Sequence, residues 1–145
     1  MFSSKKFFLA FYIATITFGI TYFVCLISYY KPHVKEFDLN GGTFDQTVHV
    51  IITEDTAYAL NYVRAYADTS ATNDDFVSRG TTFPSVDGSP IIVWLPNTDD
   101  DSVVDHELLH ASIAIMNWAG IELSGPTEET YAYELQYLKN QFNNK

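Results

Sequence analysis

Cysteine is almost missing from this chain of 145 residues: Cys25 stands alone, so no disulfide can close within one molecule. Nothing in the sequence therefore points to an oxidising compartment. Basic residues are nearly as scarce. Residues 1–35 hold four lysines and no acid, which leaves residues 36–145 with four basic and 18 acidic side chains, a net charge of −14. So acidic a surface repels phosphate backbones, which excludes nucleic acid as a partner, and it stays off anionic lipid except near Lys31 and Lys35. Internal repeats and low-complexity tracts are also missing, which excludes repeat architectures. A length of 145 residues with 47% hydrophobic content suits one compact domain and an appendage.

A further absence is local. From Phe7 to Tyr30, 24 consecutive residues carry no charge, and at about 1.5 Å per residue such a helix is long enough for roughly 30 Å of hydrocarbon. Thr15, Thr17, Thr21 and Ser28 dilute the run, but a helix satisfies short hydroxyls on its own carbonyls, and Tyr29 and Tyr30 fall where an interfacial aromatic belt lies. Residues 1–30 thus read as an N-terminal transmembrane anchor, with membrane contact through residues 7–30. The alternative, a cleaved signal peptide, has an apolar core of about 7–15 residues and a small-residue cleavage site, and neither is visible. Lys5 and Lys6 precede the run and Lys31 and Lys35 follow it, so positive charge leaves the side of the membrane undecided.

Residues 31–46, punctuated by Pro32, Gly41 and Gly42, read as a juxtamembrane linker, and residues 47–145 as the folded domain. "TVHVIIT" has the β-branched pattern of a strand, with His49 facing away from Val48 and Val50. "EDTAYALNYVRAY" follows as a helix begun by Glu54 and Asp55, and "ADTSATNDDFVSRG" as a loop. "TTFPSVDGSPIIVWLP" predicts a hairpin turning at Asp87 and Gly88; Pro90 and Pro96 bracket "IIVWL", which places that strand at a sheet edge. Three aspartates and Ser102 cap a long helix that closes at Gly120, and Thr127 caps a last helix, "EETYAYELQYLKNQF". Trp94 and Trp118 are expected in the core. The fold class is α+β, a small mixed sheet packed on helices.

The long helix carries "HELLH". Residues four apart on a helix lie about 40° apart around its axis and one turn along it, so His106 and His110 can direct two imidazoles at one ion. A hydrolytic zinc site adds a third protein ligand and leaves a position for water, whose proton Glu107 is placed to take. Donors for the third position are available in the last helix at Glu128, Glu129 and Glu134. The succession of "IIVWLP", "HELLHA" and "EETYAY" resembles the small phage- and prophage-encoded HExxH proteins, similar in their compact fold to the gluzincin zinc peptidases, over about Thr47 to Leu138. That resemblance implies a third ligand in an E-x-x-A-Y pattern, matched here by Glu129, Ala132 and Tyr133. Glu128 is then a capping or supporting acid, Glu134 an exposed helix residue, and Tyr133 a donor to an oxyanion or a packed ring.

The expectation is a membrane-anchored zinc metallopeptidase of gluzincin type acting on a peptide or protein. Its rivals are a hydrolase of peptidoglycan stem peptides and a non-enzymatic membrane protein whose zinc staples two helices. The anchor has a direct check. The full chain should remain with membranes after carbonate washing, and a shortened chain starting near Glu36 should be recovered in the soluble fraction. Isolation of a mature protein lacking residues 7–30 would instead identify a signal peptide.

Overall fold

The computed structural model describes residues 33–84 and 86–145. The expected membrane anchor and Cys25 lie outside them, and among the described residues no helix is long and apolar enough to cross a membrane. Residues 33–145 form one compact unit. Its strands are β1 (Lys35–Asn40), β2 (Thr47–Ile52), β3 (Thr81–Phe83) and β4 (Ile91–Leu95), and its helices α1 (Thr56–Tyr66), α2 (Asp101–Trp118) and α3 (Glu128–Phe142). The architecture is mixed α+β: a four-stranded sheet in the order β1-β2-β4-β3, with β2 and β4 parallel and the two outer pairs antiparallel.

Two sequence expectations change here. Residues 35–40 were expected in a linker, but they pair with β2 from Lys35 opposite Ile52 to Asn40 opposite Thr47, so the folded unit begins before Thr47. "IIVWL" is an inner strand rather than an edge: β4 lies between β2 and β3, and all five of its residues are buried. Pro90 and Pro96 flank the ladder without entering it, so neither removes a bond from it. An unbroken apolar run is the pattern of a strand covered on both faces. The edge beside α2 is β3.

Alternation along the strands sorts side chains onto two faces and builds two cores. Leu39, Val48, Val50, Ile91, Val93 and Leu95 face α2 and α3, where they meet Val104, Leu108, Ala111, Ile115, Met116, Tyr131 and Leu138. On the opposite face Ile51, Ile92 and Trp94 pack on Ala59, Leu60 and Val63 of α1. The segment expected as plain loop contributes there too. A 3-10 turn at Asn73–Phe76, closed by reciprocal bonds between Thr72 and Asp75, inserts Phe76 against Phe83 and Trp94. The indole N–H of Trp94 donates to the carbonyl of Thr53 at 2.9 Å, so its burial leaves no unmade bond.

Helix ends follow the sequence closely. Asp55 accepts from the amide of Tyr58 and Asp100 from that of Ser102, both at 3.0 Å, satisfying amides that lack a partner within the helix. At the far end of α2, Gly120 has φ +70° and donates to Asn117, while Ile121 donates to Met116 at 2.9 Å. This is the paired closure that a left-handed glycine permits. Thr127 precedes α3, but its side chain does not cap it. Its hydroxyl donates to Glu122 at 2.6 Å and accepts from the amide of Ser124, bracing the connection before the helix.

The core under α2 sets a measurable energy. Leu108 is fully buried between helix and sheet, so Leu108→Ala should destabilise the protein by about 2–5 kcal/mol through lost transfer energy and the cavity left behind. Urea denaturation followed by circular dichroism reads the difference; a change near zero would show that α2 is not held by this stripe.

Candidate functional site

Eighteen residues of α2 are divided by the helical period into two stripes. Val104, Leu108, Ala111 and Ile115 go inward, while His106, His110, Ile113 and Asn117 turn to a cleft of about 640 Å³. The opposite wall is Gly80, Thr81, Thr82 and Pro84, on and beside β3. Both histidines are exposed, their rings at 81° with centroids 4.7 Å apart, and their Nε2 atoms approach to 3.1 Å. Two nitrogens bound to one tetrahedral zinc at about 2.0–2.1 Å stand roughly 3.3 Å apart. The pair fits as two ligands of one ion.

Glu107 occupies the boundary between the stripes and is 5% exposed. Its Oε2 accepts from the hydroxyl of Thr82 at 2.7 Å, and the same hydroxyl lies 3.0 Å from the carbonyl oxygen of Glu107. The register of β3 on β4 sets Thr82 opposite Val93, whose side chain points to α2, so Thr82 faces the helix as well. Gly80 provides the room. A Cβ there would lie 2.8 Å from Cγ of Glu107 and 3.2 Å from its Oε1, closer than side chains tolerate. Neither Thr82 nor Gly80 was marked by the sequence, because the residues that support a carboxylate through space have no fixed spacing from it.

The remaining candidates are distributed differently. Antiparallel packing of α3 on α2 is recorded by Lys139, which reaches Asp105 at 2.6 Å, and by the Tyr131 hydroxyl, which donates to the carbonyl of Ile121 at 2.6 Å. Glu128 and Glu129 are exposed in the first turn of α3, toward the Tyr131 end of the pair. The structure does not gather Glu129 with the two histidines: among the described residues no three His, Cys, Asp or Glu side chains converge on one point. Tyr133 is exposed rather than packed. Trp118, expected in the core, is 51% exposed and lines the cleft, because α2 carries it past the last residue that the sheet covers. His49 faces away from Val48 and Val50 as expected, but α1 covers that face. Its ring stacks on Tyr62 and its Nδ1 lies 2.6 Å from Asp38.

No family model, characterised protein or solved structure matches this chain. The site therefore stands on its own geometry.

Glu134 departs from its expected exposure and generates a test. It is 7% exposed, its Oε1 has no hydrogen-bond partner among the described residues, and burial pushes its carboxyl above the usual range. A raised folded pKa favours the protonated acid, so its contribution to stability is complete in acid and lost as pH rises through that pKa. Glu134→Gln should accordingly raise the melting temperature near pH 8, with the gain shrinking toward about pH 4, close to the unfolded carboxyl pKa. Parallel thermal melts of both proteins across that range check the sign; a gain independent of pH would remove the carboxylate as its cause.

Proposed function

We propose that this chain is a membrane-anchored zinc-dependent peptidase, and that the cleft between β3 and α2 is where it hydrolyses a peptide bond. The observation that carries the reading is the 3.1 Å approach of the His106 and His110 Nε2 atoms at a cleft which Glu107 also lines. Zinc would be held by the two imidazoles and, from the E-x-x-A-Y pattern shared with small phage and prophage HExxH proteins, by Glu129. When bound, the ion supplies a Lewis acid that lowers the pKa of water toward about 7.

The protein groups have separate tasks. His106 and His110 donate Nε2 lone pairs, which requires both imidazoles to be neutral with their protons on Nδ1. Glu107 makes no metal bond in this scheme. Its carboxylate, held at Oε2 by Thr82, takes a proton from the attacking water and returns it to the amine nitrogen as the carbon–nitrogen bond breaks. Water thus supplies hydroxyl to the new carboxyl group and hydrogen to the new amine. From the same E-x-x-A-Y pattern Tyr133 would be a donor to the developing oxyanion and Glu128 a supporting acid; both are exposed on α3. A closed structural zinc site uses four protein donors and a catalytic one three, with a position left for water, so the number of protein ligands on the bound ion separates a peptidase from a staple.

Removal of single groups separates binding from chemistry. The full chain should hold about one zinc per molecule, and His106→Ala or His110→Ala should abolish it. Glu129→Ala should do likewise; retention of zinc there with loss in Glu128→Ala would move the third ligand by one residue. Glu107→Gln should keep the metal yet slow peptide cleavage by about 10²–10⁴, the usual contribution of a positioned proton-transfer group. Metal analysis beside mass-spectrometric digestion of a mixed peptide library reads both. Equal cleavage by wild type and Glu107→Gln would eliminate Glu107 as the base, and a zinc-loaded chain inert toward library and cell-wall peptides alike would favour a structural metal.

A further inference from the structure

The cleft continues well beyond the histidines. From His110 it follows α2 past Ile113, Ala114 and Asn117 to Trp118, with Pro84 on the opposite wall. The chain has two tryptophans, and their settings differ: Trp94 is 2% exposed within the far-face core, whereas Trp118 is 51% exposed. The Trp118 ring is backed by the β3–β4 turn, since a Cβ on Gly88 would meet its Cη2 at 3.8 Å. The far end of the cleft is thus an aromatic plate on a tight turn, with the side chains of Ile113 and Ala114 beside it. An aromatic ring beside apolar side chains in a concave cleft, with a few polar groups nearby, is the usual lining of a ligand site.

The occupant follows from the neighbouring strand. β3 is the last strand of the sheet, so its outer edge presents main-chain amides and carbonyls with no strand opposite them among the described residues. An extended peptide satisfies such an edge by pairing with it, and successive side chains then enter whatever pockets lie alongside. Pro84 ends this edge, because its nitrogen has no proton to give. Beyond that point only side-chain contacts hold a guest. His110 and Trp118 are eight residues apart, which at about 1.5 Å per helical residue separates them by roughly 12 Å. Extended chain rises about 3.3 Å per residue, so the plate lies three or four residues from whatever bond sits at the histidines.

We propose that the Trp118 end of the cleft is a remote specificity subsite that takes one large apolar side chain, aromatic or branched, three or four residues from the cleaved bond of an extended peptide. This rests on the peptidase reading for the bond that is cut, but the subsite itself is a binding surface and can be measured without turnover. Anchorage at that distance spends its binding energy on holding the scissile bond in place, so peptides truncated short of the plate lose rate as well as affinity.

The test uses the full-length chain in lipid nanodiscs, as wild type, Trp118→Ala and Trp118→Phe. Dodecapeptide libraries digested by the zinc-loaded wild type should show Phe, Leu or Ile enriched three or four residues from the cut. A Phe-bearing peptide should then exceed its Ala-bearing twin in kcat/KM by about 10- to 200-fold, the discrimination available to an apolar pocket. Trp118→Ala should erase most of that ratio and Trp118→Phe restore it. In parallel, titration of the slowly cleaving Glu107→Gln protein with the same two peptides should shift tryptophan emission for the Phe peptide alone, since Trp94 is sealed in the core. Cleavage with no preference at that offset, or with a preference unchanged by Trp118→Ala, overturns the subsite and leaves the peptidase standing. Saturable binding of the Phe peptide that depends on Trp118, without cleavage by any metal-loaded form, keeps the subsite and overturns the peptidase. Neither binding nor cleavage overturns both.

Discussion

The rotation of α2 about its own axis is the constraint on which the rest of the site depends. Val104, Leu108, Ala111 and Ile115 are drawn against Val48, Val50, Ile91, Val93 and Leu95 because water rejects both surfaces. Once that stripe is seated, no angular freedom remains for the other positions. His106 and His110 must project on the flank that lines the cleft beside β3, and Glu107 must fall on the border between buried and open. A polar site is placed here by apolar packing. The schedule of side chains along the helix converts a non-directional force into a direction for two imidazoles.

At the border the energetics change character. A carboxylate nearly removed from water is costly unless donors replace the solvent, and the hydroxyl of Thr82 is such a donor at 2.7 Å. That bond also joins the helix to the strand that forms the other wall of the cleft. Gly80 lets the two approach, because any larger residue there would meet the Glu107 side chain. Strand, glycine and helix thus set the position of one acid together, and the same strand is an outer strand of the sheet. Asp68, by contrast, accepts from Ser70, two residues along the chain, rather than from another element.

What was legible in the sequence follows from how local each signal is. Helix limits were set by neighbouring chemistry, Asp55 and Asp100 at the starts and Gly120 at a finish, and these appear where the residues put them. The strand at Thr47–Ile52 and the turn at Asp87 and Gly88 were equally local. Strand order was not. The prolines around "IIVWL" suggested an edge, yet they lie outside the ladder, and the apolar continuity of the segment was the better guide. "KEFDLN" hid as a linker because only Phe37 and Leu39 alternate inward, and its partner strand supplies the remaining reason to be extended. The histidine pair followed from helical spacing, whereas the burial of Glu134 and the exposure of Trp118 depend on how far the sheet extends beneath each helix, which no window of sequence contains.

β4 belongs to both cores at once. Ile91, Val93 and Leu95 complete the layer beneath α2, while Ile92 and Trp94 complete the layer beneath α1. In a chain drifting through substitutions, most positions answer to one neighbourhood, but this strand answers to two that never touch each other. A change accommodated by sliding β4 toward α1 would also move the floor under the histidines and Thr82. Variation should therefore accumulate on α1 and its loops well before it reaches these five residues, and a replacement tolerated here should be found with compensating changes on both faces of the sheet.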